Sequence, residues 1–226
     1  MTRSAPSKSS HKRSPVLIRQ MTDDDWEGVI DLSRRMWFDL EEIPNAEAQR
    51  LAATIDTRLM MRQTTNGVVV IDPVSDEIVG VLMYRGSVWP PKRVQGWHEV
   101  AIAKALARGD EIGGEVARGL HNFEEEMRRY LELFEQTRIR DYDGAITLLL
   151  LDPAYQGQGI GRQMMDRALQ ALRSQGVGWV YLDTDDSLDY QFYDHLGWRR
   201  VVEFPSSFEI FGKVYSPTEY TYEYQL

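Results

Sequence analysis

From Leu148 to Met165 the chain reads LLLLDPAYQGQGIGRQMM, and its character changes three times within that one short stretch. The unbroken apolar run has the length and the lack of alternation expected of a strand buried on both faces. Asp152 and Pro153 end it, because proline cannot donate to a ladder and an Asp-Pro pair favours a turn. Glycine then occupies positions 157, 159 and 161, directly before a segment of helix formers. Glycine tolerates positive φ and lets a ligand approach the backbone, while a helix start leaves N–H groups unpaired and partly positive. A strand, a glycine turn and a helix in immediate succession therefore predict an α/β fold with an anion cradle at the junction. The strand-like VGWVYLDT downstream completes a β-α-β unit, whose crossover is right-handed.

The flanking sequence fills in a single domain over 15–226. VLIRQ is a short β-prone run, and Thr22 followed by three aspartates caps a helix expected from Asp23 to Trp37. A second helix is expected over AEAQRLAATIDTRLMMRQ, followed by two strands, VVVID and IVGVLMYRG, paired as a hairpin. Residues 87–143 break the pattern and read as a helical insertion between the third and fourth strands, with Phe123, Met127, Leu131 and Phe134 at helical spacing and Trp89 and Trp97 near its start. After the β-α-β unit come a short helix in LDYQFYDHLGW, closed by Gly197, and two final strands. Tyr220, Tyr222 and Tyr224 alternate onto one face of the last of these.

Composition narrows the chemistry. The 226 residues are 42% hydrophobic, enough for a substantial core, and carry a net charge of −9, which disfavours nucleic acid as a partner. There is no cysteine, which excludes disulfides, thiolate metal sites and a cysteine nucleophile. No zinc-ligand spacing is present, so no metal is expected, and His195, alone in its helix, reads as an ordinary surface or core residue. Residues 1–14 are basic and Ser-rich without the apolar stretch of a signal peptide, and read as a disordered tail. Apolar runs are strand-sized, so no membrane span and a cytoplasmic location are expected.

Three phosphate-binding loops compete for QGQGIG. A Walker loop requires Gly-Lys followed by Ser or Thr, whereas Gly161 is followed by Arg162 and Gln163. A dinucleotide fingerprint requires a third glycine where Arg162 stands. The third is the pyrophosphate loop of acyl-CoA-dependent acyltransferases. Gln156 to Gly161, preceded by the Asp152-Pro153 turn, resembles the Q/R-x-x-G-x-G/A signature of the GNAT superfamily of N-acetyltransferases, and Phe192 to Trp198, FYDHLGW, resembles that family's second motif. The resemblance is strong over Ala145 to Arg200 and looser over the N-terminal half.

It implies the GNAT fold, a mixed central sheet that splays open beside the loop, flanked by helices. It implies acetyl-CoA as cosubstrate and an amine-bearing acceptor, with the pantetheine arm against the main chain of Leu149, Leu150 and Leu151 and the pyrophosphate on Gln156, Gly157, Gln158, Gly159, Ile160 and Gly161. Arg162 is placed to meet a CoA phosphate. Tyr193 matches the family's tyrosine beside the thioester sulfur and would act as general acid. No base is nominated by the resemblance. Asp183, Asp185 and Asp186 cluster at the end of a strand, where open α/β sheets form their crevices, so Asp185 is a base candidate, as is Asp143. Asp186 stands where many members have an Asn beside CoA. Glu41 and Glu42, between the first two helices, are placed to attract a cationic acceptor, which favours a small molecule over a protein. A homodimer, a non-catalytic acyl-CoA sensor or scaffold, and a longer acyl-CoA donor also fit these residues.

Overall fold

A computed structural model of the chain describes residues 15–86 except 42 and 44, residues 140–210 and 212–226, and, of the segment between, residues 114, 116–118, 129, 132–134, 136 and 138. The expected tail over 1–14 and most of the expected insertion, with Trp89 and Trp97, lie outside the described residues. The described positions from 114 to 136 are helical.

Seven strands form one sheet in the order β1-β2-β3-β4-β5-β9-β6. They are β1 (Leu17–Gln20), β2 (Asn66–Ile71), β3 (Ile78–Arg85), β4 (Gly144–Leu151), β5 (Trp179–Asp185), β6 (Arg199–Pro205) and β9 (Thr218–Gln225). A small hairpin, β7 (Phe208–Ile210) with β8 (Lys213–Tyr215), interrupts the passage from β6 to β9. Only β4 and β5 run parallel, as the two strands of a β-α-β crossover must. The sheet is therefore mixed, as expected. The hairpin β7-β8 was not foreseen, and neither was the position of β9, which inserts between β5 and β6 and so has both edges paired.

Helices cover both faces. On one lie α3 (Ile160–Ser174) and the short α4 (Gln191–His195). Met164, Met165, Ala168, Leu169 and Leu172 of α3 pack on Val68, Val70, Leu82, Val180 and Leu182, and Tyr220 and Tyr222 of β9 join the same core. The other face carries α1 (Trp26–Ser33), entered by a 3-10 turn (Asp23–Asp25) and continued by a π turn (Arg34–Phe38), and α2 (Ala46–Arg62). Thr22 donates its N–H to Asp25 at the first of these starts (2.7 Å), and the Asn45 side chain accepts from Ala48 N–H (2.9 Å) at the start of α2. Val29 and Leu32 of α1 bury against Val69, Val81, Met83, Leu148 and Leu150. Val116 and Ala117 pack with Ala48, Ala52 and Ile55 of α2, so this part of the insertion lies on the α1/α2 side.

Candidate acyl-CoA site and the family of the chain

The sheet opens where the sequence places the glycine loop. β4 and β5 are paired only at Gly144 with Val180 and Ala145 with Tyr181, after which they part. Gly144 is the closing point, where an added Cβ would lie 2.7 Å from Val177 Cγ1. Just beyond it the β3-β4 register skips a residue between Tyr84–Ile146 and Met83–Leu148, so Thr147 is the extra residue of a bulge. A bulge bends its strand, here where the pair diverges. Thr147 shares a hydroxyl hydrogen bond with Thr64 at the end of α2 (2.7 Å), which pins the bend.

Main-chain direction along β4 follows from its far end. Asp152 N–H donates to Val79 O (2.8 Å). In an antiparallel ladder alternate residues face the same neighbour, so Leu150 also turns its main chain to β3, while Leu149 and Leu151 turn theirs to the gap. Leu151 C=O accepts from Gln156 Nε2 (3.0 Å), as a gap-facing carbonyl can. Of the three leucines expected at the pantetheine arm, Leu149 and Leu151 thus expose main-chain groups in the opening. Leu150 spends its main chain on β3 and buries its side chain on the α1 face.

The loop that follows is held from several sides. Asp152 accepts from Ala154 N–H (2.9 Å), Gln158 Nε2 donates to Ala154 O (3.2 Å), and the Tyr155 hydroxyl donates to Asp72 in the β2-β3 turn. Gly159 is the N-cap of α3 at φ 79°, and Gly157 has φ 70°. That is left-handed backbone, costly for any residue with a Cβ. A Cβ on either would meet nothing within 4 Å, so open space lies above the loop. The first-turn amides of α3, at Ile160, Gly161 and Arg162, lack intrahelical acceptors by helix geometry. With the dipole of a helix of 15 residues behind them, they form a cradle that fits a pyrophosphate. Arg162 is exposed beside it.

Tyr193, in α4, packs over β9 on the α3 side, its ring 5.6 Å from Tyr222 and 6.3 Å from Trp198. Burial, then the nearby Asp189 and Tyr222, hold its phenol well above the usual tyrosine range. It is therefore protonated at any working pH. Tyr222 in turn accepts from Arg200 Nη2 (2.8 Å), whose guanidinium lies 4.0 Å from the Tyr220 ring.

The expected base candidates take different places. Asp143 accepts from the amides of Gly178 (2.9 Å) and Trp179 (2.8 Å), capping the entry to β5 at the end of β4 opposite the loop. Both its oxygens are spent on structure there, roughly 25 Å of strand from the cradle. Asp185 accepts from Ser187 N–H (2.7 Å) and from the Ser187 hydroxyl, turning the chain out of β5. Asp186 exchanges two bonds with Thr218, its N–H donating to Thr218 O (3.1 Å) and its carboxylate accepting Thr218 N–H (3.0 Å), which extends the β5-β9 ladder rather than facing the cradle. Glu41 is exposed in the turn before α2, and Glu42 lies outside the described residues.

Two buried carboxylates of β9 had gone unremarked in the sequence. Glu223, 1% exposed, accepts from Tyr142 OH (2.7 Å) and from Arg199 Nε (2.9 Å), and Arg140 stands 3.1 Å away. These partners hold it below the usual carboxylate range against the effect of burial. Glu219, 7% exposed, accepts from Ser206 Oγ (3.0 Å). Burial, and then Asp185, Asp183 and Asp186, push it up to about 7. The alternation of Glu with Tyr in EYTYEYQ was visible, but a strand buried on both faces cannot be told by alternation from one with a wet face.

A splayed sheet, a glycine cradle at a helix start and a tyrosine beyond the next strand define an acyl-CoA-binding fold. The model of the acetyltransferase (GNAT) family matches residues 26–198, and the chain belongs to that family. Mycothiol acetyltransferase of Beutenbergia cavernae is 40% identical over 60 residues, 26% of this chain and 20% of that protein. A histone acetyltransferase of Glycine max is 29% identical over 74 residues, 33% of this chain and 32% of its own length. The chain thus matches a third or less of the length of these curated relatives. Among solved structures, a polyamine N-acetyltransferase of Drosophila melanogaster aligns over 94% of this chain and 100% of its own, with a TM-score of 0.53 at 13% identity, a likeness of fold.

Proposed function

We propose that the chain is an N-acetyltransferase that moves an acetyl group from acetyl-CoA to a primary amine by direct attack within a ternary complex. The observation that carries this reading is the parting of β4 from β5 directly beside the Gly157–Gly161 cradle. One feature suits a pyrophosphate and the other an extended arm, with main-chain groups of Leu149 and Leu151 turned toward the gap. The amine nitrogen attacks the acetyl carbonyl, the C–S bond breaks, and the thiolate gains a proton. Tyr193, kept protonated by its surroundings, supplies a hydrogen bond or that proton as charge develops on sulfur. The thiolate of a thiol of pKa about 8.5 is a weaker base than the Tyr193 phenolate, whose phenol is held above its ordinary range, so the hydroxyl stabilises the developing thiolate chiefly by a hydrogen bond and ends with its own proton.

A small cationic amine suits the acceptor side. Asp183, Asp185 and Glu219 share the sheet face that α1 and α2 cover, and Val116 and Ala117 bring the insertion onto that side. Among the described residues no helix is long and apolar enough to cross a membrane. The test is CoA release from acetyl-CoA with a panel of primary amines. Acetyl-, succinyl- and longer acyl-CoAs compared in the same assay set the donor. Release with at least one amine is expected. Tight acetyl-CoA binding without release from any amine would make the chain a sensor instead.

A further inference from the structure

β9 places two glutamates on the face away from α3, and their surroundings differ. Glu223 is saturated by Tyr142, Arg199 and Arg140. Glu219 has one neutral donor, Ser206, and among the described residues no cation is paired with it. Directly opposite it on β5 stands Asp185, with Asp183 on the same face and Asp186 closing the strand pair. A buried carboxylate whose charged neighbours, among the described residues, are all carboxylates is costly, which makes a functional reason the stronger account.

The sheet supplies that reason. Tyr193 packs its ring at a tilt against Tyr222 from the α3/α4 side, whereas Glu219, three residues before Tyr222 in β9 and about 10 Å along the strand, points to the α1/α2 side. The carboxyl end of β5, on which Glu219 abuts, forms one lip of the opening. Acid and carboxylate therefore flank that lip from opposite faces. An amine arriving from the α1/α2 side passes the exposed Asp183 and the half-buried Asp185 of β5, directly beside which the Glu219 carboxyl stands on β9, and the sulfur it displaces departs toward Tyr193.

We propose that Glu219 is the general base that takes the first proton from the acceptor ammonium, an assignment that rests on the acetyl-transfer reading above. Two protons leave the nitrogen in all. The first passes to the Glu219 carboxylate and then to solvent, freeing the lone pair that attacks the acetyl carbon. The second leaves the tetrahedral adduct as the C–S bond breaks and balances the proton that reaches the CoA sulfur. The products are the amide, CoA thiol and one released proton. The described charged groups facing Glu219 are Asp183, Asp185 and Asp186, and Ser206 Oγ is its hydrogen-bond donor. The three aspartates favour the protonated carboxyl and the serine opposes it.

The experiment is the pH profile of kcat/KM for CoA release by the full chain, from about pH 5 to about pH 9, with the best amine of the panel. Wild type should rise tenfold per pH unit and level off near pH 7, where Glu219 loses its proton. E219Q keeps the shape and the Ser206 contact, and should lose about 100-fold at pH 8 together with that limb, acetyl-CoA affinity being unchanged by calorimetry. S206A keeps the base but removes the one contact that lowers its pKa, so the limb should move to higher pH. A profile left in place by both variants overturns the assignment to Glu219. Wild type that binds acetyl-CoA yet releases no CoA with any amine overturns the acetyl-transfer reading first, and the base with it.

Discussion

The two sides of this sheet build their sites from different material. On the acyl-CoA side nearly everything is main chain: the bulge at Thr147, the gap-facing groups of Leu149 and Leu151, and the first-turn amides of α3 behind Gly159. On the α1/α2 side it is side chains from separate parts of the chain, with Glu219 and Glu223 from β9, Asp183 and Asp185 from β5, and Arg140 and Tyr142 from the end of the insertion. A main-chain site is set by backbone conformation, which glycine and proline write locally. A side-chain site exists only after distant segments have been folded together. On the proposed reading, an acidic protein thereby holds a polyanion with almost no basic side chains and keeps its carboxylates for a cationic acceptor.

Gly159→Val strikes the main-chain site where it depends most on φ. A β-branched residue cannot hold φ 79° cheaply, so the α3 amides turn away from the cradle. Loss of two charge-assisted hydrogen bonds costs about 4 kcal/mol, roughly a thousandfold in Kd for acetyl-CoA by calorimetry. The circular dichroism spectrum should stay that of wild type. Unweakened binding would mean that side chains, not amides, hold the pyrophosphate.

Glu223→Ala is the corresponding break on the side-chain face. It strips a buried carboxylate from Tyr142, Arg199 and Arg140, and Arg140 keeps only its stacking on Trp179, 3.5 Å from the ring centre. Removing one partner of a buried charge network typically costs about 3 kcal/mol, which urea unfolding would register as a lower midpoint. The half-exposed arginines moderate the loss, since water can take over their donors. A midpoint equal to wild type would show that the insertion is anchored elsewhere.

Tyr193 lies on the α3/α4 side, across the sheet from the carboxylates. Tyr193→Phe retains the ring contacts with Phe192, Trp198 and Tyr222 and removes only the hydroxyl. kcat should fall about 100-fold with acetyl-CoA affinity nearly intact, because a proton donor acts in the transition state and not on the bound ground state. A parallel loss in affinity would instead make Tyr193 part of the cofactor pocket.

The same contrast explains what could be read from the sequence. The strand, turn and helix of Leu148 to Ser174, the hairpin β2-β3, the first two helices and the short helix with Tyr193 were all legible, because each rests on local periodicity, a cap or a glycine. Thr147 was not recognised as a bulge, since a bulge is a relation between two strands. Asp143 looked free for chemistry because the amides of Gly178 and Trp179 that occupy it lie far along the chain. Glu219 was not singled out, because its burial depends on β9 being an inner strand with layers packed over both faces, which no local pattern reports. The short hairpin β7-β8 escaped notice because three-residue strands carry too little pattern.

Asp56 offers the finest test of whether buried carboxylates mark the α1/α2 side. It lies in α2, 5% exposed, with Oδ2 unpaired among the described residues, and burial alone raises it to about 7 from the usual 3.8. The folded protein keeps that proton where the unfolded chain has already lost it. Asp56 therefore costs no stability below about pH 4, costs progressively more as pH rises toward 7, and its full penalty stands above that. A shift of this size is nominally worth roughly 4 kcal/mol, and Asp56→Asn forfeits about half of the gain because its own amide enters the same unpartnered place. The expectation is a variant stabilised by about 2 kcal/mol at pH 8 and destabilised by about 2 kcal/mol below about pH 4, where wild-type Asp56 carries its proton and no penalty, measured by urea unfolding at both. Glu219 titrates over a similar range in both proteins, so the difference between them isolates Asp56 where the wild-type curve alone would not. A gap independent of pH would mean that packing and not charge separates the two, and would leave Glu219, among the described residues, as the carboxylate on this side raised above its ordinary range.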